Sequence, residues 1–127
     1  MPDFHQNGVI ATLHNFNTKS IEEIEKELLS FSKTSPMTLI LPSLYSELEK
    51  PALTYIVNTL KKVKYIKNIV IGLDQASKQE FIKAKKFFSI LPQNTYILWN
   101  DGPKLKKIHQ ELSKMNLAPI EKGKGRN

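Results

Sequence analysis

Three short apolar runs, Met37–Leu41, Asn68–Asp74 and Thr95–Trp99, each give way to a loop and then to a segment with helical periodicity. None of the three alternates strictly between apolar and polar residues. Strands of that kind belong to parallel sheets, whose two faces are both packed, and strand–helix repetition is the signature of the α/β class. Right-handed crossovers would bring all three strand ends to one edge of the sheet. The loops Pro42–Glu47, Leu73–Ala76 and Asn100–Pro103 then converge there, and open α/β sheets hold ligands at that edge.

The helical segments carry their own start signals. Ser20-Ile-Glu-Glu23 has the spacing of a capping box, and Ile21, Ile24, Leu28 and Phe31 recur behind it on one helical face. Pro51 suits the first turn of a second helix, which would turn Leu53, Ile56, Leu60 and Val63 inward. A third buries Phe81, Ala84, Phe88 and Leu91, and a fourth carries Leu105, Ile108, Leu112 and Met115. The expected architecture is a three-layer sandwich around a mostly parallel sheet, Rossmann-like and incomplete, with helices on both faces. Residues 1–19 read as an extended arm or edge strand, with Gly8–Leu13 its apolar part. Residues 117–127 read as a polar tail rich in Gly and Lys.

With 127 residues the chain has room for one core. It has no cysteine, which excludes disulfides, thiolate metal sites and cysteine nucleophiles. No apolar run approaches the roughly 18 residues of a membrane span, and the N-terminus lacks the pattern of a signal peptide, so a cytoplasmic protein is expected. His5, His14 and His109 match no metal-ligand spacing. Charge is divided unevenly: residues 1–60 hold four Lys against seven acidic residues, while residues 61–127 hold fifteen Lys or Arg against five. The second part therefore attracts anions, either phosphate-bearing small molecules or nucleic acid. Only one of the basic residues is Arg, the usual reader of guanine, which disfavours nucleic acid. A basic flavodoxin-like module for nucleic-acid binding or protein interaction, without catalysis, is the alternative reading.

Leu41-Pro-Ser-Leu-Tyr-Ser-Glu47, Ile71-Gly-Leu-Asp74, Gly123-Lys-Gly-Arg-Asn127 and the opening Asp3–Asn15 together resemble the nucleotide-binding part of GT-A-type glycosyltransferases. Within that group the chain is most similar to the bacterial glucosyl-3-phosphoglycerate synthases. The resemblance implies that residues 1–127 are an N-terminal segment of an enzyme moving a hexose from a nucleotide-diphosphate sugar to a phosphorylated acceptor such as 3-phosphoglycerate. It implies nucleoside contacts from Pro42, Leu44, Tyr45, Glu47 and Asp74, and a phosphate-proximal turn at Gly123 and Lys124. Such enzymes hold Mg²⁺ or Mn²⁺ through an Asp-x-Asp motif, which this sequence lacks. The metal is thus expected in the complete enzyme and not in this segment, which should be inactive alone. The implied partners are the nucleotide sugar and the missing C-terminal part of the enzyme, with a homodimer also open and no membrane involved.

Overall fold

The structure is a computed structural model, and it describes residues 19–117 of the chain. The chain divides into two compact units, residues 1–36 and 37–127. The first contains helix α1, Ile21–Thr34. Its capping box forms as the spacing predicts. The Ser20 hydroxyl accepts the Glu23 amide at 3.2 Å, and the Glu23 carboxylate accepts the Ser20 amide at 3.1 Å. Two of the first-turn N–H groups that a helix cannot satisfy internally are thereby satisfied. Lys19 adds an ion pair with Glu27. No α1 residue is buried, so Phe31 lies exposed where the periodicity predicts an inward-facing side chain.

Among the described residues the second unit holds three strands and three α-helices in alternation. Strand β1, Met37–Leu44, runs through a 3₁₀ turn at Tyr45–Glu49 into helix α2, Pro51–Leu60. Strand β2, Ile66–Asp74, leads to helix α3, Lys78–Phe88, and strand β3, Asn94–Trp99, to helix α4, Pro103–Lys114. The strands lie in the order β1-β2-β3, and both neighbouring pairs are parallel. The α/β class and the incomplete Rossmann-like sheet therefore match the reading of the sequence.

One face of the sheet carries the core. Ile69, Ile71 and Leu73 of β2 are fully buried against Leu53, Val57 and Leu60 of α2 and Ala84 and Phe88 of α3. Leu39 and Leu41 of β1 and Ile97 and Trp99 of β3 flank them. These residues are spaced by two along each strand, which sends one set of side chains to one face.

Two local expectations change. Helix α2 buries Val57 rather than Ile56, which is exposed: the stripe turned to the sheet is Leu53, Val57 and Leu60, at i, i+4 and i+7. Ile108 of α4 and Met115, its C-cap, are exposed, and no α4 residue is buried. Helices α2 and α3 share one face of the sheet. Each new strand is added on the same side of the last, so two crossovers of the same hand must pack on the same side. On the other face Ile40, Tyr96 and Leu98 remain exposed.

Candidate functional site at the carboxyl edge of the sheet

The three strand ends meet at one edge, as three parallel strands of matched register require. Leu44 pairs with Asp74, and Leu73 pairs with Trp99. Strand β1 does not end at Pro42. It continues through Pro42 and Ser43 to Leu44, with Pro42 paired to Gly72. A proline lacks the N–H that an interior strand would donate to the neighbour on that side, but β1 has a neighbour on one side only among the described residues. Pro42 therefore lies within the sheet, two residues short of the edge, and its place as loop residue passes to Leu44 and the turn behind it.

The first loop is the 3₁₀ turn. Tyr45 is half-buried and packs with Leu48 against the core. Glu47 forms an ion pair with Lys50 at 3.2 Å, across one turn. Ser43, just before, is buried and donates its hydroxyl to the Leu44 carbonyl at 3.1 Å.

The second loop is the most constrained part of the edge. Asp74 is buried at the end of β2, and its carboxylate accepts the Gln75 amide at 2.9 Å. Gln75 has φ 54°, a left-handed conformation uncommon for a residue with a side chain and costly unless the surroundings enforce it. The enforcement comes from the third loop. Asp101 accepts the Ala76 amide at 3.0 Å, and the Trp99 indole N–H donates to the Ala76 carbonyl at 2.8 Å. Both polar groups of one buried residue are thus held by the end of β3. The Trp99 ring is itself fixed by parallel stacking on Phe81, with centroids 4.8 Å apart. Gly102 follows, its amide donating to the Trp99 carbonyl at 3.0 Å. A Cβ there would stand 3.0 Å from both that carbonyl oxygen and the indole ring, so any side chain crowds the turn.

Helix starts add electrostatics to the same edge. The N-terminus of α3 is closed by a second capping box, Ser77 with Glu80, at 3.3 and 2.8 Å. Those hydrogen bonds, chiefly the one from the Ser77 amide, hold the Glu80 carboxyl below its ordinary range. Helices α2 and α4 start at Lys50 and Gly102 without a side-chain cap. Their first-turn N–H groups carry the positive end of the helix dipole, which suits an anion.

Of the residues that the sequence singles out, Leu44 and Asp74 are register partners, Tyr45 and Glu47 sit on the adjoining turn, and Pro42 lies one step back in β1. Gly123 and Lys124 lie outside the described residues, as do the opening arm and the Gly/Lys tail beyond Leu117. Asp101 and Trp99 hold Ala76 in a way that no linear spacing signals; the Ser77-x-x-Glu80 box, by contrast, has the same readable spacing as the one at Ser20. Among the described residues no group of three His, Cys, Asp or Glu could hold a metal ion. Asp74 and Asp101 each accept a backbone amide. No described helix is long and apolar enough to cross a membrane.

No family model matches the chain, and no solved structure does. Two curated proteins are similar to it. One is the glucosyl-3-phosphoglycerate synthase of Persephonella marina, 45% identical over 127 residues, which is all of this chain and 32% of that protein. The other is the glucosyl-3-phosphoglycerate synthase of Methanococcoides burtonii, 30% identical over 126 residues, 98% of this chain and 31% of that protein. The chain spans about a third of the length of the curated relatives it matches.

Proposed function

We propose that this chain is the nucleotide-binding part of a GT-A-type glycosyltransferase that moves glucose from a nucleotide-diphosphate sugar to 3-phosphoglycerate. The observation that carries the reading is the 45% identity to the Persephonella marina enzyme along the whole chain. Parallel strand ends that meet at one edge, with two uncapped helix N-termini beside them, support it.

In this reading Leu44, Tyr45, Glu47 and Asp74 contact the nucleoside, Pro42 shapes β1 behind them, and Gly123 and Lys124 approach the diphosphate. The constraint on Ala76 serves positioning: it holds the Asp74 loop in one shape, so that little ordering is left to be done when the nucleotide arrives. During transfer the bond from the sugar's anomeric carbon to the diphosphate breaks, and one forms from the acceptor hydroxyl, which gives up its proton. Charge builds on the departing diphosphate and must be met by fixed positive groups or dipoles. Lys124 and the helix N-termini supply part of that. Mg²⁺ or Mn²⁺ belongs to the complete enzyme, and no step performed by this chain runs through it.

The test is reconstitution. The remaining two thirds of the Persephonella marina protein, made as a separate polypeptide, is mixed with this chain, Mg²⁺, 3-phosphoglycerate and, in turn, UDP-, GDP- and ADP-glucose. Glucosylated product should form in the mixture and with neither component alone. Turnover by this chain by itself, or none from a demonstrated complex of the two, contradicts the reading.

A further inference from the structure

The amino edge of the sheet, opposite the strand ends, holds a cavity of about 420 Å³ formed within the second unit. Three of its lining residues are lysines: Lys61 at the end of α2, Lys64 in the turn that follows, and Lys67 in β2. Among the described residues no acidic side chain lines it. Lys67 is an extra residue in its strand. Met37 pairs with Ile66 and Thr38 with Asn68, so Lys67 has no partner across the β1–β2 ladder. Such a bulge is rare between parallel strands, and bulges are over-represented beside functional sites, where they re-aim a side chain.

Gln93, from the loop between α3 and β3, lines the same cavity. Its Nε2 donates to two carbonyls at the end of α2, Leu60 at 2.7 Å and Val63 at 2.8 Å. Both amide hydrogens are then used, and the carboxamide cannot turn over, because Oε1 would face the same two carbonyl oxygens. Oε1 is buried and has no hydrogen-bond partner among the described residues. A buried acceptor left without a donor is costly, and native proteins contain few of them. The bonds from Nε2 also cover the carbonyl end of α2, whose negative dipole would otherwise oppose an anion.

We propose that this cavity binds a small phosphate ester that carries a free hydroxyl. The lysines meet the phosphate as point charges, and the hydroxyl donates to Gln93 Oε1. The volume lies in the range of small-molecule sites. Strand β2, Ile66–Asp74, separates the cavity from the carboxyl edge by about 26 Å. Its occupant is therefore no reactant at that edge, and the site stands whatever the carboxyl edge binds.

Amide NMR titrations of the labelled chain with glycerol 3-phosphate and with n-propyl phosphate test it, because the two differ only in their hydroxyl groups. Glycerol 3-phosphate should shift the amides of Lys61–Lys67, Gln93 and Asn94 saturably. It should bind about fivefold or more tighter than propyl phosphate, which offers Oε1 no donor. Lys64→Gln and Lys67→Gln should each weaken it about tenfold. Both side chains are exposed, so the melting temperature should stay within about 3 °C. A Gln93 variant would also lose the bonds to α2, so the pair of esters, rather than a substitution, reads Oε1. Equal affinity for the two esters overturns the proposal, as does the absence of saturation at tens of millimolar. The same shifts with the same affinity from sodium sulfate also overturn it, because the lysines would then be taking up any dianion. A mixed-sequence oligonucleotide that moves these amides more strongly at equal phosphate concentration does so too, since the edge would then serve nucleic acid.

Discussion

Replacing Asp101 with alanine tests whether the carboxyl edge is held together as described. The Asp101 carboxylate is the acceptor for the Ala76 amide at 3.0 Å, and Ala76 is only 4% exposed, so water cannot readily take over the bond. A hydrogen bond to a charged group contributes about 1.5–3 kcal/mol, and Asp101 is itself half-buried, which argues for the lower part of that range. With a urea dependence of about 1–1.5 kcal/mol per M for a small domain, the unfolding midpoint should fall by roughly 1–2 M. Asp101→Asn keeps an acceptor oxygen in place and should cost about half as much. Trp99→Phe removes the other bond to Ala76, and its effect should be less than additive with Asp101→Ala, because the two act on one residue. Urea unfolding of the wild type, the three single variants and the Asp101→Ala/Trp99→Phe double, with amide exchange read at Ala76, decides the matter. The reasoning fails if Asp101→Ala leaves midpoint and Ala76 protection unchanged, or if Asp101→Asn is as damaging as the alanine.

Phe88 is fully buried, so Phe88→Ala should cost about 3–5 kcal/mol and leave the chain largely unfolded by far-UV circular dichroism at 37 °C. Gly102→Ala should cost about 1–3 kcal/mol by thermal melt, because the new methyl meets the Trp99 carbonyl and ring at 3.0 Å. Glu80 has its carboxyl lowered in the folded state, so its contribution is present above the ordinary carboxylate pKa and is lost as pH falls through the folded value. A carbon-detected NMR titration should place Glu80 below an ordinary glutamate, and Ser77→Ala should return it upward.

The strands and helices were legible because their signals are local. The Ser20 capping box, the first-turn proline at Pro51 and the unalternating apolar runs each follow from neighbours in sequence, and each forms. Strand ends were less legible. Pro42 reads as a stop, yet β1 continues past it, because a proline is excluded only where a neighbour would take its missing N–H, and sequence does not say which strand is at the edge. Which face each helix covers is legible only once the strand order is known: alternation predicts crossovers, and the order β1-β2-β3 puts both crossover helices on one face. At the candidate site Leu44, Tyr45, Glu47 and Asp74 come from the family resemblance, and their place at the carboxyl edge follows from lying at or just behind the ends of apolar runs. The bonds from Trp99 and Asp101 to Ala76 were not legible. They join residues more than twenty positions apart through a turn that requires Gln75 at positive φ, and glutamine gives no hint of that conformation.

The central claim is that nucleotide binds where the three strand ends meet. Its most direct measurement is an amide NMR titration of the isotopically labelled chain with UDP-, GDP- and ADP-glucose, and separately with a mixed-sequence oligonucleotide. The account predicts that at least one nucleotide sugar, at millimolar concentration, shifts the amides of Ser43–Glu47, Asp74–Ala76 and Asn100–Gly102. The oligonucleotide should leave those amides unmoved. Shifts confined to the lysine-rich amino edge around Lys61, Lys64 and Lys67, or shifts at the carboxyl edge from the oligonucleotide alone, would contradict it.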